Sequence, residues 1–231
     1  MAVVIPALDE AHALTGVLAA VPRSGAGFEV RDVVVVDNGS IDATAAVALS
    51  GGAIVVTEPR RGYGAACLAG LAHLRSRPPF VVAFLDADHS DDPTELGLVL
   101  APIVRGEADL VIGSRVLGTR EPGALTPVQQ FGNAVAASLM RILFAGRFTD
   151  LGPFRAIRWD ALERLAMRDR AYGWTVEMQA RALRARLRCV EVPVRYRRRR
   201  LGASKVSGTL RGVWGAGTQI LITLARVRLG G

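Results

Sequence analysis

Lysine is almost absent from this 231-residue chain: Lys205 stands alone, every other cationic side chain is arginine, and the formal net charge is +8. A compact ammonium kept at one place among guanidinium groups marks that place for a point-charge role. Cysteine is nearly as scarce. Cys67 and Cys189 lie far apart and form no CxxC or zinc spacing, which excludes a disulfide scaffold and predicts a reducing cytoplasm. Long apolar runs are missing too. The longest uncharged C-terminal stretch, between Arg211 and Arg226, is broken by Gly212, Gly215 and Gly217 and falls short of the ~20 residues that span a bilayer. Its Trp214, Ile220, Leu221, Ile222 and Leu224, flanked by arginines, suit packing against a sheet, the stronger expectation, or lying in a membrane surface. The start, Met1-Ala2-Val3-Val4-Ile5-Pro6, has no basic leader and predicts no signal peptide. The absence of HExxH and GxSxG argues against zincin and α/β-hydrolase chemistry.

Half the residues are hydrophobic and few are aromatic, which fits one large α/β domain with a core of Val, Leu, Ile and Ala. Short apolar runs alternate with amphipathic stretches. They predict strands at 2–5, 33–36, 53–57, 80–85 and 109–113 and helices near 10–21, 42–50, 64–76 and 93–105. Such βα order implies a mainly parallel sheet flanked by helices. After Arg115 the rhythm changes to a Gly/Pro-rich loop and a helix to about Phe144. A strand near 154–158, helices near 159–167 and 174–187, a strand at 189–196 and a basic tail follow. A soft boundary near 116 divides one domain, 1–231, into halves 1–116 and 117–231 that share the sheet.

The run Val81-Val82-Ala83-Phe84-Leu85 ends in Asp86-Ala87-Asp88. An apolar run of this kind reads as a strand buried on both faces, and open α/β sheets bind ligands beyond the carboxyl ends of such strands. Two carboxylates there suit Mg²⁺ or Mn²⁺ completed by substrate phosphates. Asp92-Pro93-Thr94-Glu95 reads instead as a helix cap, with Glu95 as capping-box partner.

Two further loops bring acids to the same rim: Pro6-Ala7-Leu8-Asp9-Glu10 and Asp37-Asn38-Gly39-Ser40-Ile41-Asp42. Asp37 suits a nucleobase contact or turn chemistry, Asn38-Gly39 a tight turn and Asp42 a cap. Arg61-Gly62-Tyr63-Gly64 partly mimics a dinucleotide fingerprint, but it follows the third strand and is read as a glycine loop beside a substrate or a turn needing positive φ. Asp150 and Glu177 are candidate bases, His89 a candidate metal neighbour, and Gln130, Arg155, Trp174 and Arg200 candidates on an acceptor side. The crowd Arg195, Arg197, Arg198, Arg199, Arg200 and Lys205 suits anionic lipid, a phosphorylated substrate or nucleic acid.

Together these residues resemble the family-2 glycosyltransferases of GT-A fold, those similar to dolichol-phosphate mannose synthase and bacterial polyprenyl-phosphate glycosyltransferases. The matching pieces are Val4 to Glu10, Val36-Asp37-Asn38-Gly39-Ser40, Arg61 to Ala66, the DXD motif Asp86-Ala87-Asp88, Ile112-Gly113-Ser114-Arg115, Gly152 to Ala156 and Ser204-Lys205. The resemblance implies transfer of a sugar from a UDP- or GDP-sugar to a polyprenyl phosphate, inverting and dependent on Mg²⁺ or Mn²⁺. It implies that Pro6, Ala7, Leu8, Glu10, Asp37, Gly64 and Ala87 line the donor, that Asp86 meets the ribose or metal, and that Asp88 holds the metal. Arg115 and Lys205 would face the phosphates. The chain departs from that pattern at Asp9, Leu151 and Pro153, and offers Gln129 and Gln130 where relatives carry an arginine. Rival readings are a soluble transferase acting on a small hydroxylated acceptor, a related nucleotidyltransferase, and a nucleic-acid-binding module using the arginine run. The resemblance favours transfer to a polyprenyl phosphate over these rivals, without nucleic acid, on the cytoplasmic side and at most peripheral to a membrane.

Overall fold

The computed structural model describes residues 1–199 and 210–230, with side chains in 210–216 outside the description. Arg200, Ser204 and Lys205 therefore lie outside the described residues, as does the side chain of Trp214.

The chain runs β1 (Ala2–Ala7), α1 (Ala11–Ala20), β2 (Ser24–Gly25), β3 (Phe28–Glu29), β4 (Asp32–Asp37), α2 (Thr44–Ser50), β5 (Ile54–Thr57), α3 (Tyr63–Leu74) and β6 (Val81–Phe84). After a 3₁₀ turn over Pro93–Glu95 come α4 (Leu96–Val104), β7 (Leu110–Ser114), α5 (Pro127–Phe144), β8 (Arg155–Arg158), α6 (Trp159–Leu165), α7 (Trp174–Arg184), β9 (Cys189–Pro193) and α8 (Leu210–Arg228). Each strand and helix expected from the pattern is present within a few residues. The β2–β3 hairpin was not expected.

Seven strands form one sheet in the order β5-β4-β1-β6-β8-β7-β9. Neighbours pair in parallel except β8, which is antiparallel to both β6 and β7. Because successive side chains alternate faces, a strand covered on both sides must be apolar at every position. Val3, Ile5, Val33, Val35, Val81 and Ala83 meet α1, α2 and α4, whereas Val4, Val34, Val36, Val82 and Phe84 meet the α3, α5, α6, α7 and α8 layer. The apolar runs thus form the middle of three layers. Strand β8 lies between β6 and β7, so the second half of the chain completes the sheet of the first.

Candidate functional site

The parallel strands β1, β4, β6 and β7 end on one edge at Ala7, Asp37, Phe84 and Ser114, and β8 begins there at Arg155. The first two loops are knit together by side chains. The Asp9 backbone N–H donates to Ser40 Oγ, the Ile41 N–H to Asp9 Oδ1, and the buried Glu10 N–H to Thr44 Oγ1 at 2.8 Å. Asp42 accepts from Thr44 N–H and also from Ala11 N–H, so it serves the starts of α2 and α1 together. Asp37 accepts from Ser40 N–H three residues on, which fixes its carboxylate at the rim. Asn38 does more than turn the chain: its amide donates to the Glu58 and Arg60 carbonyls and accepts from Gly62 N–H. Three loops are thereby held as one wall, with Pro6 and Ala7 buried within it and Leu8 half-buried.

Beyond β6, Ala87 is buried between the two acids. Asp88 Oδ1 accepts from Ser90 N–H and its Oδ2 from Arg199 Nε at 3.0 Å. The other end of the Arg199 guanidinium pairs with Glu10 Oε1. One arginine therefore spans the first loop and the DXD motif. Asp86 Oδ1 is buried with no hydrogen-bond partner among the described residues, and so are both carboxylate oxygens of Asp91. Burial, then the charge of Asp88, pushes Asp86 up to about 7. Burial, then Asp86, likewise raises Asp91 well above the ordinary carboxylate range. Buried carboxylate oxygens without donors, as on Asp86 and Asp91, are costly unless a cation joins them. Among the described residues no three His, Cys, Asp or Glu side chains converge as a complete metal cage. The donor set fits instead a hard cation held by two carboxylates and completed by phosphate oxygens, with the unpartnered Asp86 Oδ1 facing that role.

Arg115, at the end of β7, is locked to Asp150 by two charge-assisted bonds, Nε to Oδ2 at 2.8 Å and Nη2 to Oδ1 at 2.7 Å, while its own N–H also donates to Oδ2. Its guanidinium lies 4.9 Å over the Tyr196 ring. Although burial works against each charge, the partners prevail: Arg115 is raised and Asp150 lowered.

Several expected site residues are placed otherwise. Asp150 is fully buried and spends both oxygens on Arg115, so it positions that arginine and is not a free base. Glu177 is buried and accepts from the Arg168 and Asp169 N–H groups and from Arg181 Nε, pinning the 168–171 loop. Arg155 is fully buried and donates to the Leu151, Gly152 and Thr175 carbonyls, which makes it a strut; burial lowers it to about 10. Trp174 is core, edge-on to Phe84 at 5.9 Å. Gly64 faces protein and not ligand: its N–H donates to Ala171 O, and a Cβ there would collide with Asp169 O. Gly62 holds φ 150° and would meet Arg170 O in the same way. His89 stacks on Gly16 and meets Arg197, away from the acid pair. Asp92 does cap Thr94, but Glu95 turns to Arg195, so the capping box does not close. Gln130 is exposed and donates to Leu125 O.

The described part of the arginine run, 195–199, is largely neutralised. Alternate members face the acids: Arg195 pairs with Asp92 and Glu95, Arg197 with Asp92, and Arg199 with Glu10 and Asp88. That period of two is the strand signal, and it was readable in the sequence. Asp91, Tyr196 and Arg199 went unassigned there because their partners are remote; Asp88 and Arg199 are 111 residues apart. The segment 194–199 thus lies over the acids. A groove of about 570 Å³ opens elsewhere, between α3 and α6.

A mainly parallel sheet with acids at three strand ends, and one antiparallel strand beside them, is the architecture of GT-A proteins. Residues 2–166 match the model of glycosyl transferase family 2, and the chain belongs to that family. It is 42% identical over 212 residues to an uncharacterized glycosyltransferase of Mycobacterium tuberculosis, covering 91% of each. It is 34% identical to the undecaprenyl-phosphate mannosyltransferase of Micrococcus luteus, covering 90% of this chain and 88% of that one. Among solved structures, glucosyl-3-phosphoglycerate synthase from Mycobacterium tuberculosis, in complex with Mn²⁺, UDP and glucosyl-3-phosphoglycerate, superposes with a TM-score of 0.77. At 24% identity, over 99% of this chain and 79% of that one, this likeness concerns the fold.

Proposed function

We propose that this glycosyltransferase moves a sugar from a UDP- or GDP-sugar to a polyprenyl phosphate, with inversion and with Mg²⁺ or Mn²⁺. One observation carries the reading. The unpartnered Asp86 Oδ1 and the exchangeable Asp88–Arg199 pair lie on the rim where a nucleotide diphosphate would approach. Asp86 and Asp88 would hold the cation, which when bound neutralises charge on the leaving diphosphate. Asp37 and Glu10, with the loop of Pro6 to Leu8, would line the nucleoside. Arg115, oriented by Asp150, and Lys205 would offer cationic groups to phosphate oxygens.

The acceptor oxygen attacks the anomeric carbon as the bond to the diphosphate breaks. The occupied state of Asp150 and Glu177 supports a phosphate acceptor, which is already anionic near neutral pH and requires no base. The names of relatives, an undecaprenyl-phosphate mannosyltransferase and, in Mycolicibacterium smegmatis, a polyprenol monophosphomannose synthase 32% identical over 195 residues, support the same acceptor class. No described helix is long and apolar enough to cross a membrane. We place the protein on the cytoplasmic side of one, as a single domain.

A thermal-shift panel of UDP- and GDP-sugars with and without Mn²⁺, on wild type and Asp88→Ala, tests the donor half. Stabilisation that ignores both metal and Asp88 would sink it. Radiolabelled transfer to a short water-soluble prenyl phosphate tests the acceptor half.

A further inference from the structure

Helix α5 packs Leu139, Met140, Leu143 and Phe144 on the core but keeps four other large apolar side chains on the solvent side. Val128, Phe131, Val135 and Ile142 recur at spacings of three, four and seven, which places them in one stripe along the helix. Phe131 is 72% exposed and Ile142 76%. The opposite face, buried against the core, is made of Ala136, Ala137 and Met140. Helix α8 packs against α5 and repeats the pattern: Thr223, Leu224 and Val227 are buried, while Leu221, Ile222 and Leu229 stay out. The C-terminal segment thus packs on helices α5 and α7 with one side and presents an apolar side outward. Paired stripes of this kind on a soluble surface mark an interaction site.

Charge selects the occupant. Arg141, Arg147, Arg226 and Arg228 are exposed around these stripes, and none forms an ion pair among the described residues. No acidic residue occurs from Pro127 to Phe148 or from Leu210 to Gly231. A second copy would set arginine against arginine with no carboxylate between them, whereas anionic headgroups satisfy the arginines and acyl chains the stripes.

We infer that the α5–α8 surface docks on a bilayer bearing anionic headgroups. The orientation follows from Asn133. Its side chain donates to Thr149 O and accepts from Leu151 N–H, tying α5 to the loop that holds Asp150 and, through it, Arg115. A phosphate in the headgroup plane therefore lies on the side of the molecule where Arg115 is held. That orientation rests on the lipid-phosphate reading above; the docking itself does not.

Co-sedimentation of the full chain with vesicles of phosphatidylcholine, alone or mixed with phosphatidylglycerol, tests it without donor, metal or acceptor. Wild type should pellet with the anionic vesicles. Phe131→Ser/Ile142→Ser should bind at least about tenfold more weakly, and Arg226→Glu/Arg228→Glu should lose the preference for phosphatidylglycerol. An unchanged circular-dichroism spectrum and melting temperature would show that both variants fold. Wild type left in the supernatant, serine variants that bind equally, or a wild-type dimer dissolved by the serine pair would each overturn the inference. Transfer to the short water-soluble acceptor, measured without vesicles, reports on the acceptor reading alone, so the two failures are distinguishable.

Discussion

Two arginine–carboxylate pairs stand near the candidate site and differ in almost every respect but chemistry. Arg115–Asp150 is bidentate, closed in by Tyr196, and its carboxylate is wholly buried. Arg199–Asp88 is a single contact between side chains 21% and 14% exposed, at the end of the extended segment that follows β9. The first pair is scaffold: breaking it strands a buried charge, so nothing short of unfolding exchanges it. The second holds the acid proposed above for the cation, and both of its side chains keep some contact with water. The same ion-pair chemistry is sealed in one region and partly open to solvent in the other.

The largest expected effect separates the two regions by function. Asp88→Ala should lower kcat/KM about 10³-fold and remove the response to Mn²⁺ while leaving the melting temperature nearly unchanged. A variant with full metal-dependent turnover would erase the distinction. Asp150→Asn is the converse. It should cost about 3–5 kcal/mol and lower the melting temperature by about 10 °C, because Arg115 is left without its counter-charge. Calorimetry showing a loss below about 1 kcal/mol would make the two pairs alike.

Asp86 sharpens the comparison through pH. Its folded value of about 7 lies above that of an ordinary carboxylate, so the metal-free fold favours the neutral acid. That stabilising contribution is complete below the unfolded value and is lost as pH rises through about 7. A cation needs the ionised form, so Mn²⁺ affinity measured by titration calorimetry should fall about tenfold per pH unit below 7. Asp86→Asn should stabilise the metal-free protein at pH 8 and abolish this dependence. The smallest effect belongs to Arg199→Ala. It should tighten Mn²⁺ binding about fivefold, while Glu10 and Asp88 lose the guanidinium they share. Weaker binding would mean that Arg199 supports the site and does not cover it.

Much of this molecule was legible in its residues, for reasons that also mark where legibility ended. Valine-rich runs flanked by turn residues fixed the strand positions, because both faces of the sheet are buried. The acids Asp37, Asp86 and Asp88 were readable from their place at strand ends. The direction of β8 was not: Arg155-Ala156-Ile157-Arg158 is too short and too evenly buried to say which way it runs. Arg155 and Trp174 looked like ligands because a buried guanidinium and a large aromatic are chemically suited to either role. Only packing tells them apart. Asp91 was unassigned because nothing local says that a third acid will be buried beside two others.

The antiparallel strand between β6 and β7 also dictates the order in which the molecule can be built. β6 leads into Asp86 and β7 into Arg115; β6 has β1 on one side, but its other edge and the facing edge of β7 have no partner until residues 155–158 have been made. A nascent chain ending near residue 116 holds two apolar strands whose ladder edges await a segment some forty residues downstream. The first half of the chain is therefore no independent folding unit. Its sheet closes only after the second half has emerged, which gives the growing chain a late, non-local step and an aggregation-prone edge until that step is complete.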